Sequence, residues 1–144
     1  MLAQQLNYTF QKMMNSTIWV VDDDQIYLFV IKKMLNLAGF SGSIQEFKNG
    51  KKAFEAISAQ IENGAILPDL ILLDINMPVW DGWDFLDHLL QTEHDKKLKV
   101  YIVTSSQNPD DIHKAEEYEV IEDFLVKPIG KKELNDLLQQ LNHD

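Results

Sequence analysis

Short apolar strings alternate with longer amphipathic segments along most of this chain. Thr17 to Asp22 (TIWVVD), Asp69 to Asp74 (DLILLD) and Leu98 to Thr104 (LKVYIVT) are nearly unbroken apolar runs, the kind that parallel strands buried on both faces require. Ser43 to Phe47 and Val120 to Val126 are weaker members of the same set. Helical spacing occupies the intervals: Gln25 to Ala38, Gly50 to Asn63, Gly82 to Gln91, Asp110 to Tyr118 and Lys131 to Leu141. Five strands alternating with five helices predict right-handed crossovers and an α/β doubly wound fold, a parallel sheet covered on both sides. A length of 144 residues suits one such domain.

In open parallel sheets a site forms beyond the carboxyl ends of the strands, at the point where strand order reverses. The residues there are Asp22, Asp23 and Asp24 after the first strand, Asp74 after the third, Thr104 and Ser105 after the fourth, and Lys127 after the fifth. Asp24 directly precedes the first helical segment and reads as its N-cap. The other carboxylates exceed what capping needs, and carboxylates brought this close repel unless a cation sits among them.

Composition narrows the function. Thirteen basic against 23 acidic residues give a net charge of −10, a field that repels a phosphate backbone, so no nucleic-acid partner is expected. The absence of cysteine excludes disulfides, a thiolate nucleophile and thiolate metal ligation, leaving oxygen or nitrogen to hold any metal. No stretch is apolar for long enough to span a bilayer, and the N-terminus lacks the pattern of a signal peptide; no membrane association and a cytoplasmic location are expected.

The motifs VVDDD at 20–24, LLDINMPVWDG at 72–82, VTSS at 103–106 and LVKPI at 125–129 resemble the receiver domain of two-component response regulators, in order and at family spacing. The resemblance covers residues 17–142 and leaves 1–16 as an N-terminal extension. It implies the flavodoxin-like strand order 2-1-3-4-5. It further implies a phosphoprotein: Asp74 takes a phosphoryl group from a sensor histidine kinase or a histidine phosphotransfer protein, with Mg²⁺ held by Asp22, Asp23, Asp74 and the backbone carbonyl of Asn76. Lys127, preceding a cis-Pro128, would reach the phosphoryl group as a point charge. Thr104 would donate its hydroxyl to the same group, beside a Ser105 small enough to leave the acceptor accessible. Phe124 falls where the family carries a switching aromatic that turns inward as Thr104 moves.

With no further domain expected outside residues 17–142, the signal would pass to a downstream effector protein or onward along a phosphorelay. Two alternatives carry different predictions. A phosphate-independent receiver-like binding module would not need these intact site residues. A Mg²⁺-dependent aspartyl-phosphate phosphohydrolase is disfavoured because Asn76 stands where such enzymes carry a second Asp. The chain is therefore expected to be no enzyme beyond accepting, and slowly losing, its own phosphoryl group.

Several segments lie outside the shared motifs. Leu2, Leu6, Phe10 and Met13 or Met14 give the extension an amphipathic pattern, which could cover the first helix, bind a partner or stay disordered. The first helix carries one apolar face of Leu28, Ile31, Leu35 and Ala38, and a second of Tyr27, Val30, Met34 and Leu37, which serves either as packing or as a kinase surface. Trp80 and Trp83, flanking Asp81, suit either a partner surface or packing over the next helix. His88, His94, His113 and His143 show no ligand spacing and are expected at the surface.

Overall fold

A computed structural model describes residues 2–92, 94 and 96–142, without the side chains of residues 9, 10 and 142. The Phe10 side chain of the N-terminal pattern and all of His143 thus lie outside the described residues. The elements are α1 (Leu2–Met14), β1 (Thr17–Val21), α2 (Gln25–Leu37), β2 (Ser43–Phe47), α3 (Gly50–Glu62), β3 (Leu70–Leu73), α4 (Gly82–Leu90), β4 (Val100–Thr104), α5 (Pro109–Ala115), β5 (Ile121–Val126) and α6 (Lys131–Gln139), followed by a 3-10 turn, Gln140–Asn142. All sheet pairings are parallel and the order is β2-β1-β3-β4-β5, the doubly wound order expected from the sequence.

Alternation along each strand sends neighbouring side chains to opposite faces. Trp19, Val21, Ile71, Leu73, Val100 and Ile102 pack with Ala53, Ile57, Phe85, Leu86 and Leu89 from α3 and α4. Ile18, Val20, Leu70, Leu72, Tyr101 and Val103 face Leu28, Ile31 and Leu35 of α2 and Leu134, Leu137 and Leu138 of α6. The central strands β1, β3 and β4 are buried almost throughout, whereas β2 and β5 at the two edges alternate with solvent. That difference is why the edge strands read weakly in the sequence.

The extension is a sixth helix rather than an unstructured tail. It ends against the base of the sheet: the Ser16 hydroxyl donates to the Lys12 carbonyl, and the Ser16 carbonyl accepts from the Ser43 amide. Its contacts run to the terminal 3-10 turn, and Met13 joins the core face shared by α2 and α6. Leu2 and Leu6 remain exposed. The second apolar face of α2 divides, with Tyr27 and Met34 packing against the core while Val30 and Leu37 face solvent. One helix cannot bury so wide a stripe against one sheet face.

Trp83 is buried and stacks on Tyr118, whose hydroxyl donates to Asp87 Oδ1 at 2.7 Å, tying α4 to the end of α5. Trp80 stacks instead on His88, ring centres 3.8 Å apart, with Phe54 beside both. His88 is thus half-buried, not the surface residue expected, because a tryptophan face shields it. Burial, then the Asp87 bond, pushes the Tyr118 phenol up from 10.0 to about 12. Between those values the unfolded chain has lost a proton that the fold retains, so stability present below pH 10 falls as pH rises to 12, by about 1 kcal/mol per pH unit. Tyr118→Phe should flatten that alkaline decline in urea unfolding, whereas an unchanged slope would place the titration elsewhere.

Candidate functional site

The pocket is built where three strand ends meet. The Asp22 amide donates to the Phe47 carbonyl and the Asp74 amide to the Val21 carbonyl, which carries the sheet ladder one residue beyond β1 and β3 and fixes both acidic residues at the same edge. The Asp22 side chain then turns back: its Oδ1 accepts from the Asp24 amide at 2.9 Å, while Asp24 caps α2 by accepting from the Ile26 and Tyr27 amides. The segment after Asp74 is equally constrained. Asn76 N–H donates to Asp74 Oδ1 at 3.4 Å, and the Gly82 amide to the Ile75 carbonyl at 2.8 Å, with Asp81 and Asp84 forming a capping box for α4. A Cβ on Gly82 would stand 2.6 Å from the Asp74 carbonyl oxygen, so only glycine lets α4 start this close to the strand end.

Carboxylate oxygens of Asp22, Asp23 and Asp74 lie within 4.8 Å of one another. Asp22 and Asp74 are buried; Asp23 is exposed at the mouth. From the end of β5, Lys127 Nζ reaches Asp22 Oδ2 at 2.7 Å and Asp74 Oδ2 at 3.5 Å. The Lys127 amide donates to the Thr104 carbonyl at 2.8 Å, and the Lys127–Pro128 peptide is cis. Three carboxylates against one ammonium leave the pocket net negative. Burial raises the Asp22 carboxyl above its usual value, against the lowering effect of the Lys127 and Asp24 hydrogen bonds. Burial alone would lower Lys127, but the Asp22 hydrogen bond and the Asp74 charge outweigh it and hold the ammonium above its ordinary value. A hard divalent cation with oxygen ligands fits this donor set and would relieve the excess charge.

The model of the response regulator receiver domain matches residues 18–139. The chain belongs to this family. The receiver is 27% identical over 124 residues to the probable methanogenesis regulatory protein FilR2 of Methanothrix harundinacea, covering 86% of this chain and 79% of that protein. It superposes on a two-component response regulator from Cytophaga hutchinsonii with a TM-score of 0.79 at 26% identity, over 90% of this chain and 98% of the other. The Mn²⁺-bound form of response regulator Rcp1 aligns with a TM-score of 0.68 at 26% identity, over 88% and 91%; Rcp1 is a protein of Synechocystis. Against the DNA-binding and transcriptional regulators that also match, the receiver spans only 25% to 46% of their length. Among the described residues no helix is long and apolar enough to cross a membrane.

The remaining predicted residues surround the receiver's acidic pocket unevenly. Thr104 is fully buried at the end of β4 and its Oγ1 accepts from the Ser106 amide at 3.3 Å. Ser105 is exposed. Phe124 pairs in register with Ile102 and packs, half-buried, against the core on the α3–α4 side, the face to which alternation also directs Thr104. Asn76 is exposed just beyond the end of β3. Two further residues near the site are given no role by the sequence motifs. Tyr27 is one, its ring lying under the Lys127 ammonium. Val79, in the loop between Asp74 and α4, has φ +70, a left-handed conformation that a β-branched side chain resists. Val79 is exposed, so no packing is at stake. Val79→Asn is expected to raise unfolding stability by about 1 kcal/mol, seen as a higher urea midpoint at unchanged slope; no gain would mean that the loop relaxes around valine.

Proposed function

We propose that this receiver accepts a phosphoryl group on Asp74 from the phosphohistidine of a sensor histidine kinase or a histidine phosphotransfer protein. The supporting observation is the triad of acidic oxygens within 4.8 Å, two of its members bridged by one ammonium. An Asp74 oxygen attacks phosphorus, the P–N bond to the imidazole breaks as the P–O bond forms, and the imidazole leaves neutral after taking a proton. As a carboxylate, Asp74 needs no base to become a nucleophile, so the site has only to position it and offset charge. Asp22, Asp23, Asp74 and the Asn76 carbonyl are the residues to hold Mg²⁺. When bound, that ion neutralises charge on the transferring oxygens.

Lys127 is the group to meet the phosphoryl oxygens once its partner Asp74 is esterified, since its second carboxylate contact is then lost. Thr104, whose Oγ1 now accepts from the Ser106 amide, would turn its hydroxyl proton toward the same anionic oxygens, a strong acceptor. Space vacated by Thr104 lies on the face where Phe124 packs, which gives the aromatic a route inward and a way to alter the surface around β5. Residues 17–142 would form the receiver proper and α1 an extension of it. The readout is a downstream effector or a further phosphohistidine partner, and the chemistry is acceptance with slow hydrolysis rather than turnover of a metabolite.

Intact mass after incubation with a small phosphodonor tests this reading. One added phosphoryl group in the presence of Mg²⁺, and none with chelator, is the expected result. No adduct, together with no binding of beryllofluoride, would favour a phosphate-independent binding module instead.

A further inference from the structure

Tyr27 sits in the first turn of α2, and its amide is one of the two that the Asp24 side chain caps at the rim of the acidic pocket. Lys127 Nζ stands 4.2 Å from the centre of its ring, while the same nitrogen contacts Asp22 and Asp74. Two carboxylates and one aromatic face therefore surround the ammonium. A lysine head on a four-carbon stem has many ways to meet a carboxylate, so the carboxylates alone do not select one arrangement. An aromatic face selects further, because its quadrupole attracts the cation along one direction and its bulk keeps water from that side. The ring is itself held: it packs against the core shared by α2 and α6. Its hydroxyl is buried and has no hydrogen-bond partner among the described residues. Burial and the charges of Asp22 and Asp74 keep the phenol neutral by raising it well above its usual value. The described contacts of the side chain are those of its ring: packing against the core and, on its face, the Lys127 ammonium, which only an aromatic residue meets in this way.

We propose that Tyr27 is a positioning residue for the phosphoacceptor site, its ring face holding the Lys127 ammonium where it bridges Asp22 and Asp74. The use of that contact in phosphoryl transfer rests on the function proposed above; the contact itself does not. Protons over an aromatic face are shifted upfield, so the ε-methylene signals of Lys127, assigned by their loss in Lys127→Arg, should lie upfield of the other lysines in a ¹H–¹³C NMR spectrum. Tyr27→Leu keeps apolar bulk against the core and should return those signals to the common lysine position. It should also slow uptake of the phosphoryl group from a small donor about three- to tenfold, the effect of losing a partly desolvated cation–π contact. Tyr27→Phe restores the ring face and should restore both readouts. Tyr27→Met replaces the leucine variant if the latter does not fold. A Lys127 signal at the common position in the natural protein, one still shifted in the leucine variant, or a phenylalanine variant that behaves like leucine would each overturn the proposal. If the natural protein takes up no phosphoryl group, the function proposed above fails, and the NMR comparison still decides whether Tyr27 holds Lys127.

Discussion

Asp74→Asn should show no phosphoryl adduct under conditions in which the natural protein gains one. The substitution keeps the shape of the side chain, and its amide oxygen can still accept the Asn76 amide that now reaches Asp74 Oδ1. What it removes is the anionic nucleophile, since a carboxamide oxygen forms no acyl phosphate of comparable stability. The fold should not suffer. Asp74 is buried among two other carboxylates, with only a 3.5 Å contact to the one ammonium, so taking away its charge relieves repulsion and the urea midpoint should be equal or higher. Mass spectrometry of both proteins after treatment with a small phosphodonor and Mg²⁺ separates these effects. A phosphoryl group on the Asp74→Asn variant at the natural level would move the acceptor to another residue, and a collapsed midpoint would give Asp74 a structural part that its surroundings do not suggest.

Lys127→Met carries the second large effect, on stability rather than on the acceptor. Asp22 is 2% exposed and its strongest partner is the Lys127 ammonium at 2.7 Å. Removing one member of a buried pair leaves the other charge uncompensated, an effect of about 3 kcal/mol in comparable buried sites. The loss should be seen in metal-free buffer near neutral pH, and saturating Mg²⁺ should return much of it, because a divalent cation at the three carboxylates supplies the missing positive charge. The variant is still expected to accept a phosphoryl group, with Asp74 intact, while failing to pass the change to a partner. Equal midpoints for the variant and the natural protein in chelator would mean that Asp22 is relieved by other means, such as protonation.

Element order was legible because the periodicities of strand and helix are local: Asp69 to Asp74 and Leu98 to Thr104 are apolar on both faces whatever surrounds them, and they become β3 and β4. Parallel strands share one direction, so their carboxyl ends fall on one edge without knowledge of any side-chain contact. That placed Asp22, Asp23, Asp74 and Lys127 near one another, even though Lys127 and Asp22 are 105 residues apart. Local chemistry also marked Asp24 as a cap and Gly82 as a helix start.

The rotation of each helix about its axis was not legible, because it depends on which side chains of the sheet and of neighbouring helices leave room. The pattern grouped Tyr27 with Val30, Met34 and Leu37 as one face, yet tertiary packing exposes Val30 and Leu37 and turns Tyr27 beneath Lys127. The same holds for Trp80 and Trp83, three residues apart, of which Trp83 enters the core against Tyr118 and Trp80 covers His88. The helix over Leu2–Met14 is not legible for a second reason, since a segment this short gains its stability from contacts at the base of the sheet rather than from its own hydrogen bonds. Sequence alone determined the order of strands and helices and the edge where chemistry gathers, because periodicity and chain direction are local properties. Tertiary structure alone decided what faces the Lys127 ammonium, because a side chain's neighbours are set by packing between segments far apart in the chain.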